Sequence, residues 1–306
     1  MSVTAGEPVR EPWVFLLGRP PLEEYLSFVI QASPGQNVDL QVLAEQWRAA
    51  ATVVDELTSS ETGIANDRSA TPLPDELAER ATQYMTDPAV RASYALLPAR
   101  IAMVALDELV VFQKQINLRY AQELRALIGD SSLIDERLFD FCMAIGQPEP
   151  VINRGQTAQN TFVFQSISTD ARFLGAALLD ASQITGYTPT GRAHSAVILY
   201  VGYGTNALNV LNVENRLVLN NGSHRAYALI AAGFNAVPAL VQDVTREEEL
   251  SVAPPVQQNK KLYLEHPRPP MLKDYFNSSL HQVVEMPRRS RQIRLQFGVE
   301  PSDVPG

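Results

Sequence analysis

With 306 residues, 45% of them hydrophobic and 19% charged, the chain is long enough for two domains or for one domain with a large insertion, and it has an ordinary globular composition. Its 34 acidic residues outweigh 25 Lys and Arg, and the net charge of −9 excludes DNA binding over the whole surface, leaving only a local basic patch. The single cysteine, Cys142, excludes an intramolecular disulfide and a cysteine zinc site.

Residues 1–37 mix Pro, Gly and aromatics and are expected to form an extended arm with a short helix at PLEEYLSFVIQ. The arm lacks a signal-peptide pattern, and no run reaches the ~18 apolar residues of a membrane span, so a cytoplasmic protein is expected. Leu40, Leu43, Trp47 and Val54 have helical spacing behind Asp39, an N-cap candidate. Two short helices follow, PDELAERATQYM and DPAVRASYALL, each opened by an acidic residue and Pro. Residues 1–99 therefore form a mostly helical region.

From residue 100 the texture changes. IAMVAL predicts a strand, NLRYAQELRALIG a capped helix ended by Gly129, and LIDERLFDFCMAIG a second helix, on whose apolar face Cys142 becomes a buried thiol. TFVFQSI predicts a strand and DARFLGAALLDAS a helix. A loop, TGYTPTGRAH, leads to three strands, SAVILYV, ALNVLNV and RLVLN, then a helix from Ser223 and a last strand, AVPALVQDV. Strands and helices interleave over 100–245, which predicts one α/β (α+β) domain, enlarged around 130–195. The strand ending at Asn220 is expected beside the one at 236–241. Residues 246–306 read as an extended Pro-rich tail ending in RRSRQIR, a solvated or intersubunit patch rather than a DNA site. Arg-Pro-Pro occurs near both ends, in GRPPLEEYL and PRPPMLKDYF.

The familiar chemical motifs fail. YVGYGTNA matches G-x-G-x-x-A but is followed by Asn- and Val-rich sequence without helical period, so Gly202 and Gly204 serve a turn. There is no phosphate-binding G-x-x-x-x-G-K-[ST] loop, no G-x-S-x-G elbow, and no pair among His194, His224, His266 and His281 with metal-ligand spacing. NNGSHRAYAL stands apart. Gly222 permits a positive φ and close approach of a ligand, and Ser223 is a natural N-cap. A cap alone leaves Arg225 unexplained, because a cation in the first helical turn opposes the macrodipole unless an anion binds there.

LNNGSHRAYALIAAGFNAVPALVQDV resembles the core of the ParB/sulfiredoxin superfamily, with Gly222, His224, Arg225, Ala228, Leu229, Gly233, Val237 and Pro238 on its pattern. VALDELVVFQKQINLRYAQEL looks like the superfamily's opening strand and helix. The resemblance covers 100–245 and implies a turn that holds nucleotide phosphates, CTP in some members and ATP in others, with Mg²⁺ at hand. Asn221, Gly222, Ser223, His224 and Arg225 would contact the phosphates, and His224 and Arg225 would stabilise charge during an NTPase or phosphotransfer reaction. The departures are informative. Ser223 stands where sulfiredoxins have a catalytic Cys, no helix-turn-helix module follows, and Gln113 falls near the carboxylate of kinase-like members, with Asp107 and Glu108 close by as Mg²⁺ candidates. The alternative is a non-catalytic assembly module, docking a protein partner through the N-terminal region or tail and forming a homo-oligomer.

Overall fold

The computed structural model describes residues 9–35, 37–129, 133–168, 170–186, 188 and 191–303. The first eight residues of the expected arm, part of the 185–194 loop and the last three residues of the tail lie outside them.

Two compact units divide the chain, Met1–Gln147 with Thr205–Arg288, and Pro148–Gly204 with Arg289–Gly306. The first unit opens with β1 (Arg10–Leu16), α1 (Leu22–Ala32), α2 (Leu40–Ser60), α3 (Ala78–Thr86) and α4 (Pro88–Ser93). It continues through β2 (Ala99–Ala105), β3 (Val110–Val111), β4 (Gln115–Asn117), α5 (Leu118–Ile128) and α6 (Glu136–Met143). The second unit contains β5 (Ile152–Ala158), β6 (Thr161–Ser166), β7 (Ala171–Asp180) and β8 (Ser195–Tyr203). The chain returns to the first unit with β9 (Asn209–Val213), β10 (Arg216–Asn221), α7 (Ser223–Ala231), β11 (Ala236–Asp243), α8 (Pro254–Gln258) and β12 (His281–Pro287). It closes in the second with β13 (Arg291–Gln296). The fold is mixed α/β. The helical 1–99 region and the segment as far as Arg288 share a unit with 100–147, because β1 of the arm pairs with both β12 and β4.

The central sheet of the first unit has the order β2-β11-β9-β10-β3. β9 and β10 form a hairpin whose turn residues, Glu214 and Asn215, both have positive φ (49° and 62°), the backbone that matches strand twist. β9 therefore lies between β10 and β11, and the expected pairing of the Asn220 strand with the 236–241 strand does not occur. Pro238 is tolerated in β11 because it pairs with Met103 of β2 before β9 begins its ladder at Leu240. The interior is almost wholly aliphatic: Val210, Leu211, Leu217, Val218, Leu240 and Val241 are all fully buried. α5, α6 and α7 pack Leu124, Phe139 and Leu229 against this sheet. Cys142 belongs to the same core, where burial pushes its thiol up to about 12 and leaves it unreactive.

Sequence and structure part company most at β7. DARFLGAALLDAS is read as a helix from its small and apolar residues, but it forms a ten-residue strand antiparallel to β8. Gly175 weakens a helix here, and the pairing with β8 includes a bulge between Phe173 and Gly175.

The two Arg-Pro-Pro segments meet at the C-terminal end of α2. Arg19 Nη2 donates to the Thr58 hydroxyl at 2.8 Å and to the Arg268 carbonyl at 2.5 Å. Buried Arg268 forks onto Asp274 at 2.5 and 2.6 Å and reaches Glu61, the α2 C-cap, at 3.0 Å. Cations suit a helix C-terminus, whose carbonyls carry the negative end of the dipole. Between them lies His266, with Nδ1 accepting the Arg268 N–H at 3.1 Å and the Arg19 guanidinium 2.8 Å from Nε2. Burial, then the Arg19 charge, holds this imidazole below its ordinary 6.5. A depressed histidine contributes stability that is complete above the unfolded value and lost as pH falls through the folded one. The thermal midpoint should therefore fall as pH drops from 7 through and below 6.5. His266→Gln should blunt that fall, as scanning calorimetry at several pH values would show.

Candidate functional site

The turn between β10 and α7 is built by glycine and asparagine. Gly222 is the N-cap of α7, at φ 90° and ψ 27°. A Cβ there would sit tightly against Leu208, at 3.0 Å from its Cδ1 and 3.2 Å from its Cα, and a φ of 90° is strained for any residue with a side chain, so the turn favours glycine. The expectation that Ser223 caps the helix is not met. Ser223 is the first helical residue, and Gly222 at the N-cap has no side chain with which to cap the turn. The leading N–H groups of α7 lie at the positive end of its dipole.

A ladder of amides sets the turn in place. Asn221 Nδ2 donates to Asn206 Oδ1 at 2.8 Å and to the Ala207 carbonyl at 3.0 Å. Asn220 Nδ2 donates to Asn209 Oδ1 at 2.8 Å, and buried Asn209 donates onward to Leu240 O and to Gln242 Oε1. The Asn-rich sequence that breaks helical period after Tyr203 is this ladder. Each amide is satisfied by another, as buried polar groups must be.

Arg225 occupies a different place from the one its sequence position suggests. It is only 2% exposed, donates through Nη1 to the Asn206 carbonyl, and lies 5.7 Å from the Phe141 ring centroid in cation–π geometry. The guanidinium points into the protein and ties α7 to the segment preceding β9. Turn and helix are therefore locked together before any ligand arrives.

His224 leaves the turn on the other side. Its Nε2 accepts the backbone N–H of Asn117 at 3.0 Å, with Tyr120 and Trp13 set edge-on at 5.3 and 6.4 Å. An Nε2 acceptor places the proton of the neutral ring on Nδ1. Asn117 is itself the N-cap of α5, its Oδ1 accepting from Tyr120 N at 3.1 Å. The N-terminal ends of α5 and α7 thus meet at one imidazole.

Beside them sits a group that sequence inspection misses. Glu11 of β1 is 6% exposed and accepts from Asn117 Nδ2 at 2.8 Å. Its carboxylate also meets Arg288 Nε at 3.1 Å and Arg119 Nε at 3.5 Å. Arg119 also pairs with Glu123 at 3.0 Å, so two guanidinium groups are balanced by two carboxylates, with both arginines more than a third exposed. Arg288, the first arginine of the basic run, is thereby drawn into this cluster. No local motif marks Glu11, which lies 106 residues from Asn117 and meets it only through the β1–β4 pairing. Asn117 alone carried a signal, as a helix cap.

The Mg²⁺ candidates lie elsewhere. β3 runs parallel to β10, with Val110 opposite Val218, so Asp107 and Glu108 sit beside the start of β10 and not beside its end at the turn. Glu108 pairs with Arg68 at 2.7 Å, and Asp107 is exposed. Gln113 is partly buried, its Nε2 donating to the Gln115 carbonyl. Among the described residues no group of three or more His, Cys, Asp or Glu side chains is placed to hold a metal ion. Likewise, among the described residues no helix is long and apolar enough to cross a membrane. Comparison with protein-family models, curated proteins and solved structures finds no match to this chain.

The two neighbouring side chains should respond in opposite ways to truncation. Arg225→Ala removes a buried charged hydrogen bond and should cost about 1.5–3 kcal/mol of unfolding free energy. Ser223→Ala, with no cap to lose, should cost less than about 0.5 kcal/mol, against ~1 kcal/mol for a true N-cap serine. Urea denaturation of the two variants measures both.

Proposed function

We propose that this chain is a nucleotide-binding protein of ParB/sulfiredoxin-like fold, holding phosphate groups at the turn formed by Asn221, Gly222, Ser223, His224 and Arg225. The observation that carries the proposal is the first turn of α7, opened by a glycine at positive φ and flanked by His224. Backbone N–H groups at such a helix start suit phosphate oxygens, and glycine lets them approach. The order β10, Gly222, α7, Gly233, β11, preceded by β3 and α5, also accords with the superfamily's arrangement.

Roles divide by burial. The first-turn N–H groups and the Ser223 hydroxyl donate to phosphate, and His224 supports its charge through Nδ1–H. Arg225, being buried, acts as a positioning residue that holds the turn in shape. ATP or CTP would bring Mg²⁺ on its own phosphates, since Asp107 and Glu108 do not lie at this end of the sheet. This favours binding over turnover. An NTPase or phosphotransferase activity would rest on His224, whose loss should lower turnover more than affinity.

A thermal-shift panel of nucleotides with and without Mg²⁺ tests the proposal. A bound nucleotide at ~100 times its Kd should add about 2.7 kcal/mol of stability. Ser223→Asp should leave the free protein as stable as wild type yet abolish that gain, because its carboxylate would face the phosphates. A variant that binds every nucleotide as wild type does, or a wild type that binds none, would leave the turn a structural corner and favour the assembly module.

A further inference from the structure

A cavity of about 600 Å³ opens between α1 and the segment that joins β3 to β4. All of its lining belongs to the first unit, and no residue of the α7 turn takes part. The volume falls within the roughly 300–1,000 Å³ of small-molecule sites. Buried aromatic rings line it. Phe15 (3% exposed) and Phe28 (8%) come from the core under α1, their ring centroids 4.8 Å apart, and Phe112 stands edge-on to Tyr263 at 6.4 Å. The polar lining is one-sided. Glu23 and Glu24 bring two carboxylates, and the single cation of the lining, Lys114, is paired with Glu24. The Glu23 carboxylate has no hydrogen bond or ion pair among the described residues. Gln113 donates its Nε2 to the Gln115 carbonyl, which leaves its Oε1 as a further acceptor. A helix dipole accounts for an acid in the first turn of α1, but not for the Gln113 acceptor, which belongs to no helix.

We propose that this cavity binds a small organic cation, a protonated amine carried on an apolar body. The lining chooses among ligand classes by charge. A phosphate or carboxylate ligand would face two carboxylates and find the one cation already engaged, so the cavity repels the nucleotide proposed for the α7 turn. A neutral ligand covers the aromatic rings but gives the Glu23 carboxylate nothing. An ammonium group serves both kinds of lining, because it is attracted to Glu23, donates to Gln113 Oε1, and is the charge that aromatic faces accept. The apolar body takes its affinity from the surface of Phe15, Phe28 and Phe112 that it removes from water. Glu23 is exposed, so its attraction is modest and weakens with salt. This site stands whether or not the α7 turn holds phosphate.

Three probes of one shape and different charge test the proposal: benzylammonium, benzyl alcohol and benzoate, each titrated into the full ¹⁵N-labelled chain. Benzylammonium should bind about tenfold tighter than benzyl alcohol, with benzoate weakest, and the advantage should shrink as salt rises. The amides that move should centre on Phe28 and Gln113. Glu23→Gln should remove most of the advantage and leave benzyl alcohol binding as before, with the fold intact because the side chain is exposed. Phe112→Leu, which keeps an apolar side chain against Tyr263, should weaken both probes several-fold. Three results would each overturn the proposal: no benzylammonium binding at ~10 mM, binding no tighter than that of benzyl alcohol, or an affinity indifferent to Glu23→Gln.

Discussion

The buried guanidinium of Arg225 is the contact on which the candidate site depends. A charged group is costly to bury unless its donors are satisfied, and a cost of that kind is tolerated where it fixes one arrangement over others. Here the Asn206 carbonyl and the Phe141 face receive it, so the start of α7 is tied to the segment entering β9 and to α6. The amides of Asn221, Asn220 and Asn209 extend the same connection across β9 to Gln242 of β11. These contacts hold the turn from below, with Gly222 as its pivot. A ligand would find its N–H donors already oriented and would bear little ordering cost.

Two helix N-termini and one imidazole set the electrostatics above that base. His224 accepts from Asn117 N–H, so its Nε2 lone pair is committed and the ring is arranged as a neutral donor through Nδ1. Such a ring can hydrogen-bond to phosphate, whereas service as a general base would first require breaking the Asn117 contact. Glu11 anchors Arg119, Arg288 and Asn117 together. The N-terminal strand is thus part of the site's support, because β1 fixes β4 and β4 delivers Asn117 to the imidazole.

Local rules made much of this legible. The glycine-bounded helix α7, its flanking strands, the Asn117-capped α5 and the Asp39-capped α2 follow from cap and turn chemistry within a few residues of each signal. What escaped inspection was long-range. β9 slips between β10 and β11 because the β9–β10 hairpin is a two-residue turn, whereas β11 returns only after a helix. Arg225 looks like a surface cation by position, but the helix start is sunk against Phe141, and no local pattern reports that. Glu11 is invisible for the same reason. β7 was misread because small and apolar residues suit a helix and an exposed ribbon alike, and only its pairing with β8 decides between them.

Nucleotide titration of ¹⁵N-labelled protein, followed by amide chemical shifts, tests the account most directly. ATP or CTP should move the Ser223, His224 and Arg225 amides first and furthest, with Asn117 following through its bond to the imidazole, while amides at the start of β10 near Asp107 and Glu108 stay still. Shifts confined to other parts of the chain, or none at millimolar nucleotide, would contradict the assignment of the α7 turn as a phosphate site.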